Sequence, residues 1–315
     1  MNIIESSVME INEKDPLKKI ELIGRTCYKS EDRITDDSCV KFVSNLVSRK
    51  HLAILEHYVF VYELNNECES KLSLFDYFDS QRFVNATFHK VGGSYRYVIS
   101  FNARSLIDIL EDCAKRDTIE AKYQAQVVEN LIEKVIYDYN CQNMFGNHFS
   151  GINHEEYIKI DDITSLSDKE RLIHEYRTFK FVTDRGVSHE LVRHRVASFA
   201  QESTRYANYS KDKFGSEITV IEPYNWDTMD DVSKELMSGS WKNAEYTYME
   251  LLKNGLQPQQ ARAVLPNELK TEIVVTASIG EWNHMGDLRL RGTTGSPHPD
   301  MKLLMERLKE IFPEL

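Results

Sequence analysis

Apolar residues recur along this chain in two periods, and the change from one to the other marks out its elements. Val40, Phe42, Val43, Leu46 and Val47 fall at three- and four-residue intervals, a spacing that places side chains on one helical face. It predicts a helix over 36–49, opened by Asp36-Asp37. A second helix is expected over 15–29, with Asp15 as cap and Pro16 at the first helical position, where a missing N–H is harmless. HLAILEH (51–57) reads as a capped loop leading into the strand-like YVFVYEL (58–64), with His57 hydrogen-bonded in the core. From about 65 to 175 the chain turns rich in Asp, Asn, Lys and Tyr. This stretch predicts a GlyGly turn at 92–93, a strand over Tyr95–Ser100, and helices near 103–115 and 118–138. A strand over Tyr176–Thr183 enters a turn at Asp184-Arg185-Gly186, and a helix is expected from near Ser188 to about Arg195. Strands follow at Glu217–Ile221 and Glu272–Ile279, and helices at 228–253, 257–264, 280–290 and 299–311. The elements mix without a regular βαβ repeat, so the fold class is α/β in its irregular, α+β form. No internal repeat or low-complexity tract is evident. Residues 1–64 read as the N-terminal part of a catalytic domain, 65–175 as an insertion or lid within it, and 176–315 as its main part.

Bulk composition narrows the function. The chain has 315 residues, 41% hydrophobic and 28% charged, with a net charge of -11. That acidic balance argues against a broad nucleic-acid surface, which needs a basic footprint. Glu5 and Glu10 interrupt the N-terminal segment, and the apolar runs are far too short to span a bilayer. The expectation is a cytoplasmic protein with no membrane partner. Five scattered cysteines (Cys27, Cys39, Cys68, Cys113, Cys141) without a CxxC fit reduced thiols.

The chemistry concentrates in RHRVASFAQESTR. Arg193, His194 and Arg195 are followed after seven residues by Ser203-Thr204-Arg205, with Val196, Ala197, Phe199 and Ala200 between. Guanidiniums beside apolar side chains suit a flat anion, because Arg donates in a planar fork and also stacks on rings. Other candidate groups are His51 with Glu56-His57, Gln259 with Arg262 on one helical face, and Trp282-Asn283-His284 with Arg289 and Arg291. There is no GxGxxG, Walker A loop or GxSxG. His189 and His194 stand five apart, about 140° around a helix, and cannot share a metal. No metal site is expected.

In the extended form DRGVSHELVRHRVASFAQESTRY (184–206), this signature resembles that of the flavin-dependent thymidylate synthases, the ThyX family. HLAILEH, QQARAVLP and WNHMGDLRLR are similar to further family segments and occur in the same order. The resemblance covers roughly 15–62 and 176–311, and 65–175 is absent from the shortest members. It implies a central mixed sheet flanked by helices, with a long helical insertion here, and a homotetramer with sites at subunit interfaces. The reaction it implies converts dUMP, methylenetetrahydrofolate and NADPH to dTMP through bound FAD, without a covalent enzyme nucleophile.

Carried over by motif position, the dUMP-binding residues are Glu190, Leu191, Val192, Arg193, Gln201, Glu202, Ser203, Thr204, Arg205, Arg262 and Arg289. Ser203 and Arg205 would meet the phosphate, and Arg289 would be catalytic by polarising the uracil ring. FAD would be met by His51, Ala53, Glu56, Arg193, His194, Arg195, Gln201 and His284. Two departures stand out. Ala53 occupies a position where a hydroxyl residue is common. The family's Asn-Ala-Arg-Ser segment before the last helix is Ser278-Ile279-Gly280 here, while Asn102-Ala103-Arg104-Ser105 appears inside 65–175. That run reads either as a replacement FAD contact or as a plain helix start capped by Asn102. Two other functions fit the same residues: a related flavoenzyme with different one-carbon chemistry on dUMP, and a non-catalytic nucleotide-binding protein.

Overall fold

The cap at Asp15 sets the first helix: its carboxylate accepts the Lys18 N–H at 2.9 Å, with Pro16 at the first position. In the computed structural model, which describes residues 1–66, 77–91, 94–146, 148–211 and 215–315, strands β1 (Asn2–Ile4) and β2 (Ser7–Glu10) precede helices α1 (Pro16–Tyr28) and α2 (Ser38–Ser48). A 3-10 segment, Leu52–His57, leads into β3 (Val59–Asn66), β4 (Asn85–Val91) and β5 (Ser94–Asn102). Helices α3 (Ala103–Cys113) and α4 (Ile119–Tyr139), strand β6 (Tyr157–Lys159) and helix α5 (Asp168–His174) follow. Next come β7 (Tyr176–Asp184), α6 (Arg185–Leu191), β8 (Ser198–Gln201), β9 (Thr219–Ile221), α7 (Asp231–Lys253) and α8 (Pro258–Ala261). The chain then runs through β10 (Lys270–Ser278), α9 (Ile279–Arg289) and α10 (Pro299–Ile311). The turn expected at 92–93 and Cys68 lie outside the described residues. Among the described residues, no helix is long and apolar enough to cross a membrane.

The mixture of helices and strands is as expected. The strands divide into two antiparallel four-stranded sheets, β2-β7-β10-β8 and β4-β5-β3-β6, plus a parallel β1-β9 pair, rather than forming one mixed central sheet. Residues 65–175 supply β4, β5 and β6 to the sheet that holds β3. One face of β7 and β10 (Phe179, Phe181, Ile273, Val275) packs on Trp282, Met285, Leu304 and Leu308 from α9 and α10. The other sheet buries Phe60, Tyr97 and Phe101 against Leu106, Ile109, Leu131 and Ile132 from α3 and α4. On the opposite face of the first sheet, Val274 and Ala200 meet Ile23 of α1 and Ile54.

Two expectations need correction. The helix expected from Ser188 to Arg195 is Arg185–Leu191, because Asp184 caps it by accepting the Val187 N–H at 2.7 Å. After Leu191 the backbone tightens: Arg193 N bonds Glu190 O and His194 N bonds Leu191 O, so the Arg-His-Arg triplet is a turn.

The second correction concerns repetition. In one sheet Ser278 pairs with Tyr176, and Thr276 pairs with Ser198. In the other, Asn102 pairs with Val59, and Ser100 pairs with Asn85. Ser278 and Asn102 each cap an 11-residue helix, accepting the N–H of Glu281 and Ser105 respectively. Each of those helices leads to a second one. His57 and His174 each stand two residues before the first paired position of β3 or β7. His57 Nδ1 lies 2.8 Å from Thr276 Oγ1, and His174 Nδ1 lies 2.9 Å from Ser100 Oγ. The bonds are reciprocal: each half's histidine grips the other's strand, two residues before the helix cap. The chain is a two-fold structural repeat whose residue identities have diverged.

Candidate active site

The turn after α6 hangs from one side chain. Arg289, in the last turn of α9, donates from Nη1 to Glu190 Oε2 at 2.7 Å and from Nε to His194 Nε2 at 3.3 Å. It thereby joins the end of α6, the signature turn and α9. His194 is 5% exposed, and its ring lies 6.4 Å from that of His284 at a steep angle. Burial first, then Arg289 and His284, push its imidazole down to about 4. A neutral ring with its proton on Nδ1 is what lets Nε2 accept from Arg289. Arg193 and Arg195 point outward on either side of it, next to Val192 and the 66% exposed Val196.

Gln201, in β8, donates to Ser188 Oγ at 2.9 Å and Thr271 Oγ1 at 3.2 Å, locking β8 to α6 and β10. Leu191 is fully buried and Glu202 is 3% exposed, so only their backbones can face a ligand. Glu202 turns into an ionic cluster behind the loop. It meets Lys270 at 3.1 Å, and Glu272 meets Lys270 at 2.6 Å, Lys29 at 2.5 Å and Lys180 at 3.1 Å. Burial works to raise the Glu272 carboxyl, but Lys270 and Lys29 outweigh it and hold it at about 2.

Beyond β8 the loop turns at Ser203, whose N–H is accepted by Cys27 O at 3.1 Å and whose hydroxyl accepts the Arg205 N–H at 3.4 Å. Arg205 lies over the Tyr206 ring at 5.7 Å. Arg262, arriving from α8, donates to Thr204 Oγ1 at 3.1 Å. The two line a cavity of about 440 Å³ with Arg185, His189, Gln259 and Asn267. Arg185 and His189 were not singled out as ligand groups from the sequence. Their four-residue spacing, which puts both on one face of α6, was the available signal. Two guanidiniums, an imidazole and a hydroxyl around one cavity suit a phosphate. Arg262→Ala is expected to raise the KM for a phosphorylated nucleotide at least tenfold with a smaller change in kcat, read from initial rates.

Ala53 and Glu56 lie on the 3-10 segment that packs against β8, and His51 immediately precedes it. His51 and Ala53 are exposed, and His51 Nδ1 lies 3.4 Å from the Tyr28 hydroxyl. Glu56 is buried and paired with Arg104. Asn102 does cap α3, and Arg104 at the same helix start reaches back to Glu56. Among the described residues, no cluster of three or more His, Cys, Asp or Glu side chains is arranged to hold a metal.

Two histidines give the fold a pH response. Burial, reinforced by Lys19, lowers His57 to about 3, and His194 sits at about 4. Both folded values lie below the unfolded value near 6.5, so the unfolded chain binds more protons in between. Their stabilisation is complete above pH 6.5 and is lost as pH falls toward 4 and 3. Each should remove about 1.4 kcal/mol of stability per pH unit in that window, measurable from urea midpoints between pH 7 and 5. Replacing His57 with Gln should flatten the slope.

A flavin-dependent thymidylate synthase from Pyrococcus abyssi is 34% identical over 123 residues, covering 37% of this chain and 48% of that protein. One from Geobacter sulfurreducens is 29% identical over 142 residues, covering 42% and 59%, and one from Saccharolobus solfataricus is 39% identical over 106 residues, covering 34% and 38%. The chain thus spans about half the length of the curated relatives it matches. A solved UMP/dUMP methylase from Streptomyces cacaoi covers the whole chain at 13% identity with a TM-score of 0.42, a likeness too distant to bear on function. Residues 153–315 match the family described as thymidylate synthase complementing protein. That stretch is more than half the chain and contains the turn, the cavity and Arg289, so this chain belongs to that family, the flavin-dependent thymidylate synthases.

Proposed function

We propose that this protein is an FAD-dependent thymidylate synthase, converting dUMP to dTMP with methylenetetrahydrofolate and NADPH. The observation that carries the reading is the Arg289 fork joining Glu190 and His194 beside the open Arg193 and Arg195, one loop away from the Thr204–Arg262 cavity. Arg262, Arg185 and Thr204 bind the nucleotide phosphate, and Ser203 and Arg205 complete its grip. Arg289 stands where negative charge develops on the uracil ring and stabilises it there. The flavin side is met by a fitting donor set: two exposed guanidiniums for a pyrophosphate, flanked by Val192 and Val196 for a flat ring, with His284 beside His194. Bound FAD supplies the hydride transfer that amino-acid side chains cannot.

A covalent thiol mechanism is disfavoured by the cysteines. Cys27 is the one beside the Ser203 loop, and burial pushes its thiol up to about 12. Cys141 is likewise held at about 12 by burial, so neither offers a thiolate at neutral pH. The exposed Val196 leaves this turn open to a second copy of the chain, in keeping with a homotetramer whose sites lie at subunit interfaces.

The test begins with colour. Purified protein should carry FAD, its absorbance should bleach on NADPH addition, and dUMP with methylenetetrahydrofolate should then yield dTMP. A colourless protein that cannot take up FAD would overturn the reading. A yellow protein whose product from dUMP is not dTMP would show different one-carbon chemistry.

A further inference from the structure

We propose that the two-fold repeat holds one working site per chain, assembled across both halves, and that its twin position has been closed by substitution. This rests on the flavin and nucleotide reading above. The registers identify the equivalent residues. Ser198 and Asn85 pair with Thr276 and Ser100, which stand two residues before their helix caps. Counting back from Ser198 and Asn85, Arg193-His194-Arg195 correspond to Ser80-Gln81-Arg82. Counting on from the caps, Arg289 corresponds to Cys113 and Arg104 to Gly280. The first of these offsets matches Glu190 to Tyr77, and the equivalence of His57 with His174 matches Glu56 to Ile173.

Contacts agree with this alignment. Glu190 and Arg289 form an ion pair at 2.7 Å. Their counterparts, Tyr77 and Cys113, also touch, hydroxyl to thiol at 3.7 Å. The contact is retained while both charges are gone. The turn has changed in the same direction: Gln81 replaces the imidazole and spends its amide on Tyr77 O at 3.1 Å and Ser80 Oγ at 3.0 Å. Arg82 survives but lies over the neighbouring Phe83 ring at 4.6 Å.

The cross-half support has changed too. The 3-10 segment of the first half brings the Glu56–Arg104 pair against β8 of the second. Its counterpart α5 packs against β4 and β5 and carries the uncharged Ile173 at the position equivalent to Glu56. A Cβ on Gly280 would stand 2.8 Å from Leu172 O, so backbone fills the space in which Arg104's equivalent would begin. The first half thus retains Glu56 and Arg104, and the second retains the Arg-His-Arg turn and Arg289. Glu56 and Arg104 act as positioning residues for a site whose other wall is in the second half.

Titrating the full-length protein with FAD and with dUMP by calorimetry tests this. One equivalent of each per chain is expected. Arg195→Ala should weaken FAD at least tenfold, while Arg82→Ala at the equivalent position leaves both affinities unchanged. Arg104→Met should weaken FAD and change its visible spectrum, and Arg104→Lys should restore part of both. Two equivalents per chain, or equal losses from Arg82→Ala and Arg195→Ala, would overturn the inference alone. A wild-type chain that takes up neither ligand overturns the functional reading and this inference with it.

Discussion

Arg289→Ala should lower the rate of dTMP formation by about two to three orders of magnitude, the usual effect of removing one preorganised donor from a developing charge. The side chain is held from both sides, by Glu190 at 2.7 Å and by His194 at 3.3 Å, so its guanidinium has little freedom to reorganise during the reaction. Alanine removes the charge, and it also leaves Glu190 without its cation. Lysine keeps the charge but cannot meet both partners as a planar fork does, so Arg289→Lys should fall between the two. Single-turnover dTMP formation checks the rate, and urea unfolding checks that the loss is chemical: the pair is partly exposed, with side chains 23% and 30% accessible, so stability should drop by only about 1 kcal/mol. A variant that keeps the wild-type rate would remove Arg289 from catalysis.

Glu272→Ala should produce the largest loss of stability, about 3–5 kcal/mol. This one carboxylate answers Lys29, Lys180 and Lys270, and its side chain is only 10% exposed. Without it three ammonium groups face each other behind the signature loop, with Glu202 alone to answer Lys270. Glu272→Gln keeps the volume and one acceptor oxygen but turns an NH2 donor toward an ammonium, so it should cost somewhat less than alanine. The pH behaviour distinguishes this from simple packing loss. The folded carboxyl sits at about 2, below its ordinary 4.5, so its stabilisation is present above pH 4.5 and lost as pH falls toward 2. Urea midpoints should show that acid-dependent segment in the wild type and lack it in the alanine variant.

How far the sequence foretold all this depended on whether the deciding partners were close in the chain. Asp15-Pro16 and the helical spacing of Val43 and Leu46 are local, and α1 and α2 formed within two residues of expectation. His57 was legible as a core histidine, though not its bond to Thr276. The start of α6 was missed because two polar residues compete as cap, and the choice of Asp184 over Ser188 rests on one N–H, that of Val187. The destination of Glu202 was hidden because its partner Lys270 is 68 residues away. Arg262 and Arg289 were legible as candidates, while their meetings with Thr204 and Glu190 come from tertiary packing. The repeat was invisible because register and caps were retained and identities were not: Ser100 answers to Thr276, Asn102 to Ser278, and Tyr77 with Cys113 to Glu190 with Arg289. A search for like residues finds little there, whereas pairing of strands exposes it.

The place of β10 has a consequence for how the protein is made. It is the inner strand that both β7 and β8 flank, yet among the described residues it follows both of them in the chain. Until residues 270–278 leave the ribosome, β8 has no strand to pair with, and His57 waits for a hydroxyl 219 residues downstream. The first half can assemble its own sheet during translation, but the second cannot close until Ser278 is out. A nascent chain stalled before Lys270 therefore presents open strand edges on both β7 and β8, the kind of surface that aggregates or recruits chaperones.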